Sequence, residues 1–334
     1  MHPRINGVWA AEVSPFSRPV IRSRWDGGCV EASWQHRSGP HSALKATSLV
    51  QIFDGAIPVW AGQIREYDPD SGVVSCVGLS AEATALAVDS TGAATAIPDT
   101  ALSVAVSRGA LRWVVPVLSS VPWSDLSDGV STIDTMLNTL ARQYDRHWGV
   151  GPDRTLYWEA TPTAPRWHIA PGVVRLALAE DDYASHLYGT YDDGTATPKV
   201  ATVGDAASAA RWGRQERSVD LTPMGAITLA TAQGVLTSML SRGMARPQYS
   251  GPLELTAGQL INPGGSPAHL PSVRAGQLVR VHGLYDETVT LGGATYVDLV
   301  IGECTYQAGA ATVSLTPQGA PPRTLAEVLR VAAS

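Results

Sequence analysis

The chain has 334 residues, a formal net charge of −6, 44% hydrophobic side chains and 16% charged ones. That balance excludes global disorder and argues against a general nucleic-acid binder. At this length roughly 75% of the unfolded surface is buried on folding, so no disulfide staples are needed, and more than one domain is expected.

Other bulk features narrow the class further. Gly and Pro are abundant, which favours many short strands and turns over long helices. Cys29, Cys76 and Cys304 stand far apart in strand-like contexts with no CxxC or Cys/His spacing, so they read as buried thiols rather than metal ligands. No apolar stretch follows the opening Met-His-Pro-Arg, so no signal peptide is expected. No apolar run reaches the roughly 18 residues of a membrane span.

In chain order, residues 1 to about 90 read as β. Val8 to Val13 and Cys29 to Trp34 alternate as strands, and Asp26-Gly27-Gly28 reads as a hairpin turn. The strands from Ala43 onward complete a small barrel or sandwich. A helix is expected near Ala81. A second runs from Pro98 to Gly109, with Pro at its start and Gly at its end. A third is the clearest: Ser131-Thr132-Ile133-Asp134 resembles a capping box, and Ile133, Leu137, Leu140 and Tyr144 form an apolar stripe.

A short hairpin follows, His147 to Val150 with Asp153 to Glu159, then prolines at 162, 165 and 171. Tyr183 to Tyr191 is a strand candidate ended by Asp192-Asp193-Gly194. Ala201 to Arg214 is Ala-rich and fits no single pattern. Ala226 to Arg242 reads as a helix closed by Gly243. Residues 246–320 are again β, and Thr324 caps a short terminal helix over 324–330.

Two passages resemble each other across this span. Ile52-Phe53-Asp54-Gly55 leads into Val59 to Tyr67, and Gly72 to Leu79 returns. Arg274 to Leu284 leads into Thr295 to Tyr306, and Ala311 to Leu315 returns. In each, a strand precedes one of the form G-x-I-x-x-Y (first) or G-x-C-x-Y (second), and a short return strand follows a Gly turn. Two such modules bracketing a helical middle form an architecture rather than a catalytic signature.

Candidate chemistry is sparse. Glu180, Asp181-Asp182 and Asp192-Asp193 pair carboxylates as a glycosidase or calcium site would. They sit beside Gly or Tyr at strand ends, where turn acids are the commoner explanation. His36 and His41 flank Ser38-Gly39-Pro40, and His147 and His168 lie near Trp148 and Trp167. No H-E-x-x-H or H-x-x-x-H spacing accompanies them, so they read as satisfied surface or half-buried histidines. No G-x-S-x-G, Walker A or G-x-G-x-x-G element follows a strand.

Ten tryptophans against two phenylalanines fit either a sugar groove or core and interface packing, and the second is favoured. The densest polar-aromatic cluster contains Arg211, Trp212, Arg214 and Arg217. It reads either as a subunit or domain contact through stacked, ion-paired arginines or as a solvated strand edge.

Several of these passages carry a resemblance to a family. They are Ile52 to Gly55 with Trp60 to Ile64, Ala101 to Trp113, the Ile133 to Tyr144 helix with its following hairpin, Arg211 to Arg214, Ala275 to Val281, and Leu325 to Leu329. Together they resemble the tail hub, or minor tail, proteins of tailed bacteriophages, relatives of the contractile-phage baseplate hub and the type VI secretion spike. The resemblance spans nearly the whole chain and lies in texture rather than in single residues.

It implies a mixed α+β, mainly β fold, with two tail-tube-like β-barrel domains bracketing a helical α+β middle. The barrels fall at 1–90 and 200–320, the middle at 91–199 and a short helical tail at 321–334. It implies a homotrimer whose six barrels make a pseudo-sixfold ring adapting the tail tube to a threefold tip. Distal tail protein, tail tube, tape measure protein and tail-tip or receptor-binding proteins are the implied partners, on the virion. No enzyme activity, cofactor, metal or sequence-specific nucleic acid is expected, and no cell-wall-degrading role. The alternatives are a hexameric distal tail ring protein, which has one such barrel, and a carbohydrate-binding adsorption protein.

Overall fold

Residues that alternate in the sequence alternate in burial. The computed structural model describes residues 1–88, 98–116, 131–143, 146–160, 162–173, 177–179, 183–195, 197–240, 248–250, 252–283, 290–291 and 294–318. Within it, every second residue of Val73–Gly78 and of Thr312–Pro317 is buried, as expected for strands with one face on a core. The two similar passages become two antiparallel meanders. One is Leu49–Asp54, Ile57–Tyr67 and Val73–Gly78. The other is Leu278–His282, Ala294–Gln307 and Thr312–Pro317. Each middle strand shifts register once against its return strand, between Ile64 and Glu66 and between Ile301 and Glu303. Such bulges bend a strand and sharpen its twist.

The meanders are joined by a hairpin. Strand Val20–Arg24 pairs antiparallel with Ala294–Gln307 on one side and with Gly27–Gln35 on the other. Gly27–Gln35 in turn pairs with Val73–Gly78. A single 16-stranded sheet results, its main path running from Leu260–Ile261 to Val8–Trp9. The described strands therefore form a mainly β, open sheet and no closed barrel, in place of the two separate barrels expected. The physical reason is edge satisfaction: each meander would otherwise present unpaired backbone groups, and the hairpin pairs with both. By contact the chain groups as Met1–Arg175 with Pro252–Gln318, and as Leu176–Gly251. The 200–320 stretch is thus shared between two compact units.

Helices cover one apolar region of the first unit. Helix Ile133–Gln143 buries Ile133, Met136, Leu137 and Leu140 against Leu79, Leu102, Leu111, Trp113, Trp148 and Leu156. Its cap is Thr132, whose hydroxyl accepts the Thr135 amide at 3.1 Å, rather than the expected Ser131–Asp134 box. Tyr144 lies outside the described residues. Helix Pro98–Ser107 ends two residues before Gly109, which has φ 70°. Val8 to Val13 departs from expectation: only Val8–Trp9 is strand, and Ala10–Val13 forms a helical turn with Ala10 fully buried. Ala-Ala-Glu favours helix once the strand pairing ends.

Arg112 ties the helical region to the first meander. Its backbone amide and Nε donate to the two carboxylate oxygens of Glu82, at 2.9 and 2.6 Å. Its remaining nitrogens reach the Thr47 carbonyl at 2.7 Å and the Gln63 side chain.

In the second unit, Lys199–Gly204 and Glu216–Asp220 flank His186–Tyr191. Helix Leu229–Met239 accompanies this sheet, with Ala232 and Leu236 buried among Leu187, Ala201, Val219 and Leu221. It is capped by Thr228 and is shorter than the expected Ala226 to Arg242; residues 241–247 lie outside the described residues, as does the expected 324–330 helix. Among the described residues no helix is long and apolar enough to cross a membrane.

Candidate functional site

The arginine–tryptophan cluster lies where a helix meets a strand. Asp205 caps helix Ala206–Trp212, accepting the Ser208 amide at 3.0 Å and the Ser208 hydroxyl at 2.8 Å. Gly213, at φ 90°, ends the helix and turns the chain into Glu216–Asp220. Trp212 is 36% exposed. The Arg214 guanidinium binds the Glu216 carboxylate at 2.7 Å and reaches the Tyr188 hydroxyl at 3.3 Å. Arg217 is half-buried on the adjoining strand. Arg211 belongs to the helix, and its side chain lies outside the description.

The register adds neighbours that the sequence did not single out. Tyr188 lies opposite Thr202 and Ser218, and His186 opposite Gly204 and Glu216. These residues share a sheet face with the exposed Val200. The missed signal was the period-two pattern through His186, Tyr188 and Thr190, which becomes informative only once the partner strands are known.

The candidate chemistry reduces to structure. Asp192 and Asp193 accept the amides of Gly194 and Thr195 at 2.8 and 3.1 Å, which makes them turn acids. Glu180, Asp181 and Asp182 lie outside the described residues. All three cysteines are free and buried; burial pushes Cys29 and Cys304 up to about 12 and raises Cys76 further still. Such thiols are poor nucleophiles. Trp34, Trp60, Trp113, Trp148 and Trp167 are core residues, so these five do not line a sugar groove. Among the described residues no group of three or more His, Cys, Asp or Glu side chains is placed to hold a metal ion.

Two of the four histidines depart from the surface or half-buried reading, while His41 and His168 are half-buried as expected. His36 and His147 are 3% and 2% exposed. The Ser14 hydroxyl meets His36 Nδ1 at 2.7 Å, leaving His36 Nε2 buried without a partner. His147 lies 3.7 Å from the Trp25 ring, nearly parallel to it, with Nδ1 buried and unpartnered. Burial and the nearby Arg274 charge push His147 down to about 4. Both rings are therefore held neutral by desolvation.

Two further pairs join distant segments. His269 Nε2 meets the Asp54 carboxylate at 2.7 Å, and His168 Nδ1 meets His282 Nε2 at 3.0 Å. Beside the second pair, Arg280 grips Asp298 through two 2.7 Å bonds and lies 3.9 Å over the Tyr296 ring.

No protein-family model and no curated protein matches the chain. Solved structures do. The 43 kDa tail protein of prophage MuSo2 from Shewanella oneidensis superposes with a TM-score of 0.60 at 15% identity, covering 94% of this chain and 96% of that one. The fold is that of phage tail proteins. The tail protein of Neisseria meningitidis MC58 aligns at TM-score 0.54 and 13% identity, over 95% of this chain and 96% of its own. Prophage tail protein gp18 of Listeria monocytogenes EGD-e gives 0.53 and 11%, over 95% and 93%. In each case the alignment runs over nearly the whole chain.

Proposed function

We propose that the chain is a structural, non-enzymatic component of a phage tail, located on the virion at the tail tip. The observation that carries this reading is the end-to-end fold correspondence with a prophage tail protein, 94% of one chain against 96% of the other. A match confined to one module would fit many β proteins; a match over both meanders and the middle region does not.

The finer reading is a hub. Three copies would form a ring that adapts the sixfold tail tube to a threefold tip. Its neighbours would be the distal tail protein, the tube, the tape measure protein and tip proteins. Two similar meanders in one chain support it, because a trimer would then offer six comparable units. Arg211, Trp212, Arg214 and Arg217 are the proposed interface residues, since Trp and Arg are favoured at contact centres.

The test is the absolute mass of the purified full chain by light scattering, followed by localisation in electron micrographs of the virion. A trimer at the axis of the tail tip is the expected outcome. A hexamer would favour a distal ring protein, and absence of the chain from the tail would overturn the proposal.

A further inference from the structure

The first unit contains a cavity of about 20 Å³, lined among others by Ser23, Cys29, Val150, Tyr157 and Arg274. That is room for a water molecule or for a small polar head group. Among the described residues no Asp or Glu lines it. The lining is otherwise largely apolar, apart from Arg22, whose guanidinium is engaged by Glu31 and Glu303.

Arg274 is the unusual member. The half-buried Arg22, Arg112 and Arg280 each hold a carboxylate, whereas Arg154, whose Nε is buried without a partner, shares the unpaired state of Arg274. Among the described residues no carboxylate lies within ion-pair distance of Arg274. Its guanidinium contacts the Tyr157 ring at 5.7 Å and lies beside Gly151, both cavity residues. Its charge is felt by the buried neighbours: it lowers Cys29 and Tyr157 against the upward push of burial, and it helps hold His147 neutral. The exposed Asp153 adjoins Gly151, but one of its oxygens already accepts the Thr155 amide at 3.1 Å.

The backbone around Arg274 is fixed on both sides. Its own amide donates to Gln277 Oε1 at 3.1 Å, and the next amide, of Ala275, donates to Ser23 Oγ at 3.0 Å. Gln277 is held in turn by the Trp167 indole at 2.7 Å. Ser23 Oγ accepts from Ala275 and is hydrogen-bonded to the Cys304 thiol. A guanidinium without a carboxylate of its own, over a largely apolar pocket, matches a carboxylate.

We propose that Arg274 forms a carboxylate-binding site in this cavity. The ligand is either a free small carboxylate or an Asp or Glu side chain of a neighbouring chain, and the chemistry of recognition is the same. The inference stands apart from the hub reading, because it rests on the cavity and not on the assembly.

The experiment titrates the full chain with sodium acetate at constant ionic strength, using chloride as the control, and follows thermal midpoint and light-scattering mass together. A saturable rise in midpoint without change of mass identifies a free carboxylate. A fall in mass on adding acetate identifies a partner's side chain being displaced. In either case Arg274→Gln should abolish the acetate effect, and Arg274→Lys should weaken it roughly tenfold by losing the two-pronged contact. Both variants are compared in chloride first, so that lost folding is distinguished from lost binding. If acetate changes neither quantity, or if Arg274→Gln responds as the parent chain does, the site does not exist.

Discussion

At the residue scale, buried polar groups decide how the chain responds to substitution and to pH. Arg112 and Glu82 form the most committed ion pair, since Glu82 keeps only 7% of its side chain exposed. Arg112→Ala leaves that carboxylate buried without its cation. It should cost about 3 kcal/mol in chemical denaturation, while Glu82→Gln, which keeps the shape, should cost less. His147 gives a pH prediction. Folding holds it near 4 against an ordinary value of 6.5, so the unfolded chain takes the proton first. Its contribution is complete above pH 6.5 and is lost as pH falls toward 4, by about 3 kcal/mol at most. His147→Gln should flatten the stability curve across that window. Asp54 lies in the same direction but lower: the His269 contact, aided by the chain's own amino terminus, depresses its carboxyl. Its share is present above the ordinary carboxylate range and disappears as pH falls through the depressed value. None of these roles was legible in the sequence, because each depends on a partner far along the chain.

At the element scale, pattern carried most of the information. The stripe Ile133, Leu137 and Leu140 identified the helix and its buried face, and the three residues are 3%, 0% and 4% exposed. Leu137→Ala should therefore destabilise the chain by about 3 kcal/mol, whereas Thr132→Ala, which removes the observed cap, should cost about 1 kcal/mol. Thermal unfolding of the pair separates packing from capping. Short segments were harder to read. Val8 to Val13 alternates well enough to look like a strand, yet pairing stops at Trp9 and local propensity takes over. Asp26-Gly27-Gly28 was read as a turn, but the turn falls at Trp25-Asp26 and both glycines belong to strand Gly27–Gln35. Gly28 has φ 73°, and a Cβ there would lie 2.4 Å from the Val150 carbonyl. The parallel pairing of Gly28 with Val150 is what requires glycine, and Gly28→Ala should unfold this junction well before Leu137→Ala disturbs the helix.

At the scale of the whole molecule, the sheet is the unit of cooperation. Both meanders share hydrogen bonds with the Val20–Arg24 and Gly27–Gln35 hairpin, so damage to that hairpin should reach both. The path ends at Val8–Trp9 and at Leu260–Ile261; the second end is already bridged by Pro267 and Ala268, so the first is where another strand can add. Oligomerisation through such an edge would raise the apparent stability with concentration. For a trimeric ring, the thermal midpoint should climb with protein concentration while light scattering converges on three chains.

The sequence by itself determined the mainly β class, the repeated meander, the helix stripe and the lack of a recognisable catalytic motif. These follow from periodicity and local chemistry, which act over a few residues. It also gave the resemblance to tail proteins, through a texture spread along nearly the whole chain. Only the tertiary structure decided that the two modules share one open sheet, that His36 and His147 are buried, and that Arg274 faces a cavity without a carboxylate. Those outcomes depend on pairing between segments up to several hundred residues apart. Such pairing is selected by the summed burial and hydrogen bonding of the whole chain, which no local pattern encodes.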